Sequence, residues 1–170
     1  MPYRSRYSGM RRKVARLVTQ SYKQVSVDGP ASRTASTTII HNIVNGVDNY
    51  TGPTAANAEV PTGAVVKSID IQCAFSNLVS VSALLFLTIQ LKRDGQTTLA
   101  PNAQGGSPGR NRVFYTRMVF LGEDQNSNYH FRFKVPKKFQ RIREGDQWNI
   151  AYTCNQVYTS ATQAIYKFYR

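Results

Sequence analysis

The stretch from Tyr129 to Pro136, YHFRFKVP, alternates strictly between two kinds of side chain. Every second residue from Tyr129 to Val135 is aromatic or aliphatic, and the three residues between them are His, Arg and Lys. Alternation with a period of two is typical of a β-strand that has one buried and one solvated face. Pro136 ends the pattern because proline cannot donate a hydrogen bond to a sheet. The stretch therefore predicts a strand from 129 to 136 and an antiparallel sheet around it.

The same signals recur on both sides of this strand, with turn residues between them. No stretch has the spacing of a long amphipathic helix, apart from one near the N-terminus. Eight strands joined by loops of very unequal length fit two packed antiparallel sheets of a jelly roll better than a meander. We therefore predict an all-β, eight-stranded jelly roll behind a basic N-terminal arm. The predicted strands are 36–44, 64–75, 82–95, 112–122, 129–136, 139–144, 148–154 and 162–170, of which 139–144 has the weakest pattern.

Two features of these strands lead to further expectations. The strand 112–122, RVFYTRMVFLG, is apolar on both faces, which is typical of a strand with sheet or subunit neighbours on each side. Cys73 and Cys154 are too few and too far apart in sequence for a metal site or a disulfide framework. We expect two buried, reduced thiols on strands that are neighbours in one sheet.

The N-terminal segment has a charge of its own. Residues 1–24 contain seven Lys or Arg and no Asp or Glu, whereas the rest of the chain contains fifteen and nine, so the net charge of +13 divides into +7 and +6. Such a block attracts polyanions, and guanidinium groups bind phosphate while tyrosine rings stack on unpaired bases. Solubilisation or a nuclear localisation signal alone is the alternative. The predicted nucleic-acid-binding residues are Tyr3, Arg4, Arg6, Tyr7, Arg11, Arg12, Lys13, Arg16 and Lys23.

The arm also has a helical pattern. Met10, Val14, Leu17, Val18 and Tyr22 share one stripe of a helix over 10–22. A helix of this length is marginal in isolation and would need a protein or nucleic-acid surface to form. We predict a basic arm over 1–33 and a jelly-roll domain over 34–170.

A second basic cluster follows the alternating strand, and six positive residues precede the next acidic one. A solvated strand and turn would account for it. The alternative is a second contact surface, either for phosphate on the inside of a particle or for a neighbouring subunit. The cluster consists of Arg132, Lys134, Lys137, Lys138, Arg141 and Arg143.

The sequence offers little for catalysis or for a membrane. His41 and His130 are the two histidines, and neither has a second histidine or a paired carboxylate at ligand spacing. The glycine-rich 105–112 lacks the Gly-Lys-Ser/Thr ending of a phosphate-binding loop. No stretch has the roughly 18 apolar residues of a membrane span. We therefore expect a soluble protein that is not an enzyme and has no cofactor, no metal and no membrane partner.

The Arg/Tyr arm, the segment VFYTRMVF and the segment FKVPKKFQRIREGDQWNI together resemble the capsid proteins of small eukaryotic viruses with circular single-stranded DNA genomes, the circovirus-like group. The resemblance spans nearly the whole chain and implies a jelly roll that builds an icosahedral shell of about 60 copies of itself. It also implies an arm that holds the genome inside the shell and carries nuclear import signals.

The resemblance implies location in the virion and, around assembly, in the host nucleus, with host nuclear import factors as further partners. Composition alone does not separate DNA from RNA, and the resemblance favours single-stranded DNA. The competing hypothesis is a non-capsid β-domain protein that binds single-stranded nucleic acid, for which a basic tail would also serve.

Overall fold

The computed structural model describes residues 21–52, 58–101, 111–123 and 125–169, with side chains from residue 28 onward. These residues form nine strands and no α-helix. A one-turn 3₁₀ helix, Lys137–Phe139, lies between the seventh and eighth strands. The strands are β1 (Ser21–Arg33), β2 (Ile39–Val47), β3 (Glu59–Pro61), β4 (Val65–Asn77), β5 (Ala83–Lys92), β6 (Arg112–Leu121), β7 (Asn126–Lys134), β8 (Gln147–Cys154) and β9 (Tyr158–Tyr169).

The strands form two packed sheets, and the strand pairs are nested in the sequence. Sheet A has the order β1-β9-β4-β7, and sheet B has the order β3-β2-β8-β5-β6. The first long strand pairs with the last, β2 with β8, β4 with β7 and β5 with β6, all antiparallel. The three-residue β3 adds to β2 in parallel. This nesting is the wrapping of a jelly roll, and the predicted all-β fold of two packed sheets is confirmed.

The core lies between the sheets, where the predicted alternation places it. Every second residue of β4 from Ile69 to Phe75 is buried, as is every second residue of β5 from Leu85 to Leu91. The β8 residues Trp148, Ile150, Tyr152 and Cys154 are buried opposite them. Burial of each large apolar side chain contributes roughly 1.5–3 kcal/mol, so these three strands supply much of the stability of the domain.

The first strand lies in the segment that the sequence predicted as arm. Residues 21–33 form β1, an edge strand paired with β9, so the sheet begins before the expected boundary between 33 and 34. Gly29 and Pro30 lie where the register shifts between Asp28 and Ala31. A proline is tolerated at a bulge in an edge strand. Of the predicted helix over 10–22, residues 21 and 22 belong to β1, and the others lie outside the described residues.

The predicted strand 139–144 is absent. Pro136 starts the 3₁₀ helix that ends at Phe139, and the chain then makes a single β-bridge between Arg141 and Val65. The cysteines also differ from expectation. Both are buried free thiols, but Cys73 is on β4 of sheet A and Cys154 is on β8 of sheet B, so their strands face each other and are not neighbours in one sheet.

The outer face of sheet B is covered at one end and bare at the other. The side-chain amide of Gln90 donates to the carbonyl of Leu99 and accepts from its N–H, and the amide of Asn149 donates to the hydroxyl of Thr98. These bonds hold the loop after β5 over one end of the face. At the other end Met118 and Phe120 on β6 are 63% and 68% exposed. In register with them on β5 are Phe86 and Leu84, both half-buried. We call these four residues the apolar face.

Candidate nucleic-acid interface

Basic residues of β7 and β9 lie in one row on the outer face of sheet A, and the backbone of β1 continues that row. Lys134 on β7 is the register partner of Ser68 on β4, and Ser68 is the register partner of Lys167 on β9. Lys167 in turn pairs with Lys23 of β1. Neighbouring strands are about 4.8 Å apart, so residues paired in this way form one row across the four strands. Lys134 and Lys167 are both exposed, and the row brings together one residue of each predicted basic cluster.

An aromatic ring lies among these charges near the end of the chain. The ammonium of Lys67 is 4.4 Å from the centre of the Tyr169 ring, and that of Lys167 is 5.5 Å from it. Tyr169 is the register partner of Ser21, the first described residue of β1. The segment 1–20 therefore joins the domain at the end of sheet A where this ring and these lysines lie.

The connection after β7 presents more positive charge at the same end. Lys137 and Lys138 are exposed on the 3₁₀ helix, whose Phe139 packs edge to face against Phe114 at 4.9 Å. That contact anchors the helix on its inner side and leaves the lysines in solvent. The exposed Arg141 then pairs with the first residue of β4.

The predicted second cluster divides in two. Arg132, Lys134, Lys137, Lys138 and Arg141 lie along the β7 edge and its connection; together with Lys67 and Lys167 they form what we call the basic face. Arg143 lies elsewhere, since its backbone N–H donates to the carboxylate of Asp146 and it lines a cavity of about 190 Å³ with Arg93, Asp94, Glu144 and Asp146. Sequence proximity grouped Arg143 with the others, but the turn at 143–146 directs it away.

Within the described part of the chain, none of the seven residues of the basic face forms an ion pair. The ion pairs found in that part of the chain join Arg33 to Asp28, Arg93 to Asp146 and His130 to Asp70. Asp28 also accepts a hydrogen bond from Tyr152 of sheet B, which holds it on the inner side. Asp70 lies on the same face, as the register partner of Arg132 and in contact with His130, but most of the positive charge has no such neighbour and is available to a polyanion.

Carboxylates collect at a different place. Asp48, Glu59, Asp94 and Glu144 line one cavity of about 630 Å³ at an edge of sheet B. A hydrogen bond to Asp48, followed by the negative charge of that group, raises the pKa of Glu144. These four carboxylates lie apart from the basic face, whereas Asp70 lies within it, opposite Arg132.

Eight of the predicted arm residues lie outside the described residues, namely Tyr3, Arg4, Arg6, Tyr7, Arg11, Arg12, Lys13 and Arg16. Lys23 is the one that the structure describes, on β1. Sequence reasoning missed Lys67 and Lys167. The signal for both was present, because each occupies an outward position in an alternating strand, but a single lysine between apolar residues does not stand out as part of a cluster.

The residues considered for catalysis are separate from one another. His41 is buried in sheet B, where desolvation lowers its pKa, and His130 is on the outer face of sheet A in contact with Asp70. Among the residues with described positions, no group of three His, Cys, Asp or Glu could hold a metal ion. None of the described segments forms a helix of the length and hydrophobicity that a bilayer requires.

Comparison with known proteins leaves the family open: no protein-family model matches the chain, and no curated protein gives a significant match.

Proposed function

We propose that this chain is a viral capsid protein that assembles into a small icosahedral shell and packages a single-stranded DNA genome. The observation that carries the proposal is the difference between the two outer faces: sheet A presents unpaired basic side chains, and sheet B presents exposed apolar ones. Packaging needs a surface for the genome and a surface for another subunit. The jelly-roll order of the strands is consistent with both.

The basic face supports the packaging half of the proposal. The arm over 1–20 adds six positive residues and no acidic one at the end of sheet A where the basic face lies. Lys and Arg that neutralise phosphates release counterions, so binding should weaken steeply as salt rises. The resemblance of the sequence to circovirus-like capsid proteins favours DNA over RNA and implies location in the virion and, around assembly, in the host nucleus.

The apolar face supports the assembly half. Met118 and Phe120 are both more than 60% exposed. Contiguous exposed apolar surface on a folded domain is typical of a site that binds another protein. Copies of a chain with a net charge of +13 repel one another. The electrostatic repulsion between two subunits is therefore smallest where they approach through an uncharged surface such as the apolar face.

The basic face also suits a non-capsid protein that binds single-stranded nucleic acid, and particle formation separates the two functions. The test is to purify the full chain from a host cell, sediment it, and view the heavy fraction by negative-stain electron microscopy. We expect uniform closed particles with a raised 260/280 nm absorbance ratio. A subunit that stays small and binds nucleic acid would contradict the capsid proposal in favour of the alternative, and a small subunit that binds none would contradict both.

A further inference from the structure

A shallow groove of about 500 Å³ crosses the outer face of sheet A beside the basic face. Its floor is made by Ala74 and Ala161, which are register partners on β4 and β9. A single methyl group at each position leaves a depression between longer neighbouring side chains. Gly29 and Pro30, at the bulge of β1, line one end, where glycine contributes no side chain to fill it.

The rim of the groove is polar and includes two ionisable side chains, His130 and Asp28, the second of which is ion-paired to Arg33. Gln163, Gln72 and His130 form a row across β9, β4 and β7, and Asn128 continues the row of the two alanines. Gln72, Gln163, Asn128 and His130 are all exposed. Each amide carries both donors and acceptors, and the edge of a nucleobase presents the same two kinds of group.

The groove is aligned with the charges. Along β7, His130 is followed at successive outward positions by Arg132 and Lys134. Outward positions are about 6.7 Å apart on a strand, so Arg132, with Asp70 opposite it, lies one row beyond the groove, and Lys134 and Lys167 lie in the row after that. Across the face the four strands span about 14 Å. A chain of nucleotides lying across the strands would present its phosphates to the charged rows and its bases to the groove.

We propose that this groove is a binding site for the unpaired bases of single-stranded nucleic acid, with the phosphates held by Arg132, Lys134 and Lys167. The inference rests on the proposed function and adds to it: the basic face alone would accept a duplex or a single strand, whereas the groove selects the single strand. A duplex keeps its bases inside its own stack and has nothing to place on the alanine floor.

The test fills the groove without changing any charge. In the double variant Ala74→Leu and Ala161→Leu, two larger side chains occupy the floor at positions that face away from the core. The control is Ser32→Leu with Thr159→Leu, a register pair on β1 and β9 of the same sheet that does not line the groove. Full-length parent, filled variant and control are freed of nucleic acid in high salt and titrated with a fluorescent oligothymidylate and with a duplex of equal length. Thermal melts confirm that all three fold.

We expect the filled variant to bind the single strand about tenfold more weakly than the parent, as the loss of one or two hydrogen bonds to base edges would give. Duplex binding and the salt dependence of both probes should stay as in the parent, and the control should match the parent throughout. Equal single-strand affinity in the filled variant would overturn the groove assignment and leave the proposed function standing. A parent that binds neither probe would instead overturn nucleic-acid binding itself, and the groove assignment with it.

Discussion

The rings of Tyr115 and Phe131 are stacked across the open side of the sandwich, with centroids 5.3 Å apart and planes 16° apart. Tyr115 is on β6 and Phe131 on β7, the edge strands of different sheets, so no backbone ladder joins them. Arg117 over Tyr129 and Phe114 beside Phe133 make the neighbouring contacts. Side chains alone close this side of the domain.

This closure predicts an energetic coupling between the two rings. Tyr115→Ala and Phe131→Ala should each destabilise the domain, and the double variant should lose less than the sum of the two. Aromatic pairs contribute about 0.5–1.5 kcal/mol beyond the area that they bury, so a coupling energy in that range is expected. Urea denaturation of the four proteins measures it. Strictly additive losses would mean that the stacked contact is energetically neutral.

The basic face predicts a loss of packaging when its charge is reversed. Arg132→Glu with Lys134→Glu lowers the charge of each subunit by four units, two at each residue. Because both side chains are exposed, stability should change by only about half a kcal/mol. Sedimented particles should show a lower 260/280 nm ratio than the parent. The matched control is Arg112→Glu with Arg143→Glu, an equal charge change outside the basic face, and an equal loss there would mean that only total charge counts. A variant that folds but fails to assemble would place the β7 face at a subunit contact instead.

The position of β1 predicts where the chain can be shortened. Deletion of residues 1–20 leaves β1 intact and should give a folded domain with weaker, less salt-dependent binding of nucleic acid. Deletion of residues 1–33 removes β1, uncovers the edge of β9, and removes the ion pair and hydrogen bond that Arg33 makes with Asp28 and Ser160. Thermal melts should show a cooperative transition for the first deletion and a large loss of stability for the second. Equal stability would show that β1 is dispensable.

The apolar face predicts a separable assembly defect. Met118→Gln with Phe120→Gln should give a folded subunit that no longer sediments as a particle, because both side chains are exposed in the single subunit. The control is Thr116→Gln, an exposed polar residue of the same strand at the border of the apolar face. Binding of an oligonucleotide should be unchanged in both variants. Normal particles from the double variant would exclude this face from the subunit contacts.

The cysteines should be unreactive in the folded protein. Burial raises the pKa of Cys73 to about 11 and also raises that of Cys154. At pH 8 a thiol reagent should therefore react slowly with the native protein and with two thiols after denaturation. The unfolded chain loses thiol protons at a lower pH than the folded one, so the free energy of unfolding should fall as pH rises from about 9 towards 11. Denaturation that releases fewer than two thiols would contradict the free-thiol assignment.

Alternation predicted the strands well where one face is buried, the edge strand β7 included, and it missed the edge strands β1 and β3. β4, β5 and β8 are flanked on both sides, so their apolar positions are under packing constraint and are visible in the sequence. β1 has one neighbouring strand and tolerates a bulge at Gly29-Pro30. In the sequence alone, the Gly-Pro pair looks like a turn, so the strand was not predicted. The stretch 139–144 has the weakest strand pattern, and in the structure it makes a single bridge, between Arg141 and Val65 of β4.

The candidate site was predicted only in part because its members are assembled by register. Arg132 and Lys134 stand out in the sequence because they follow one another. Lys167 lies more than 30 positions away and reaches the same row through pairing of β9 with β4, and the two alanines of the groove meet in the same manner. Sequence spacing carries no information on such pairs until the order of the strands is known.

The pairing of the first strand with the last also sets the timing of folding. Ser21 reaches its partner Tyr169 only when the final strand has left the ribosome, and contacts between such distant positions form late because a large loop must be closed first. During synthesis, β1 and the basic segment before it are therefore made well before the strand that β1 pairs with. Under the proposed function, the order of translation would allow the basic segment to meet a polyanion before the sandwich closes.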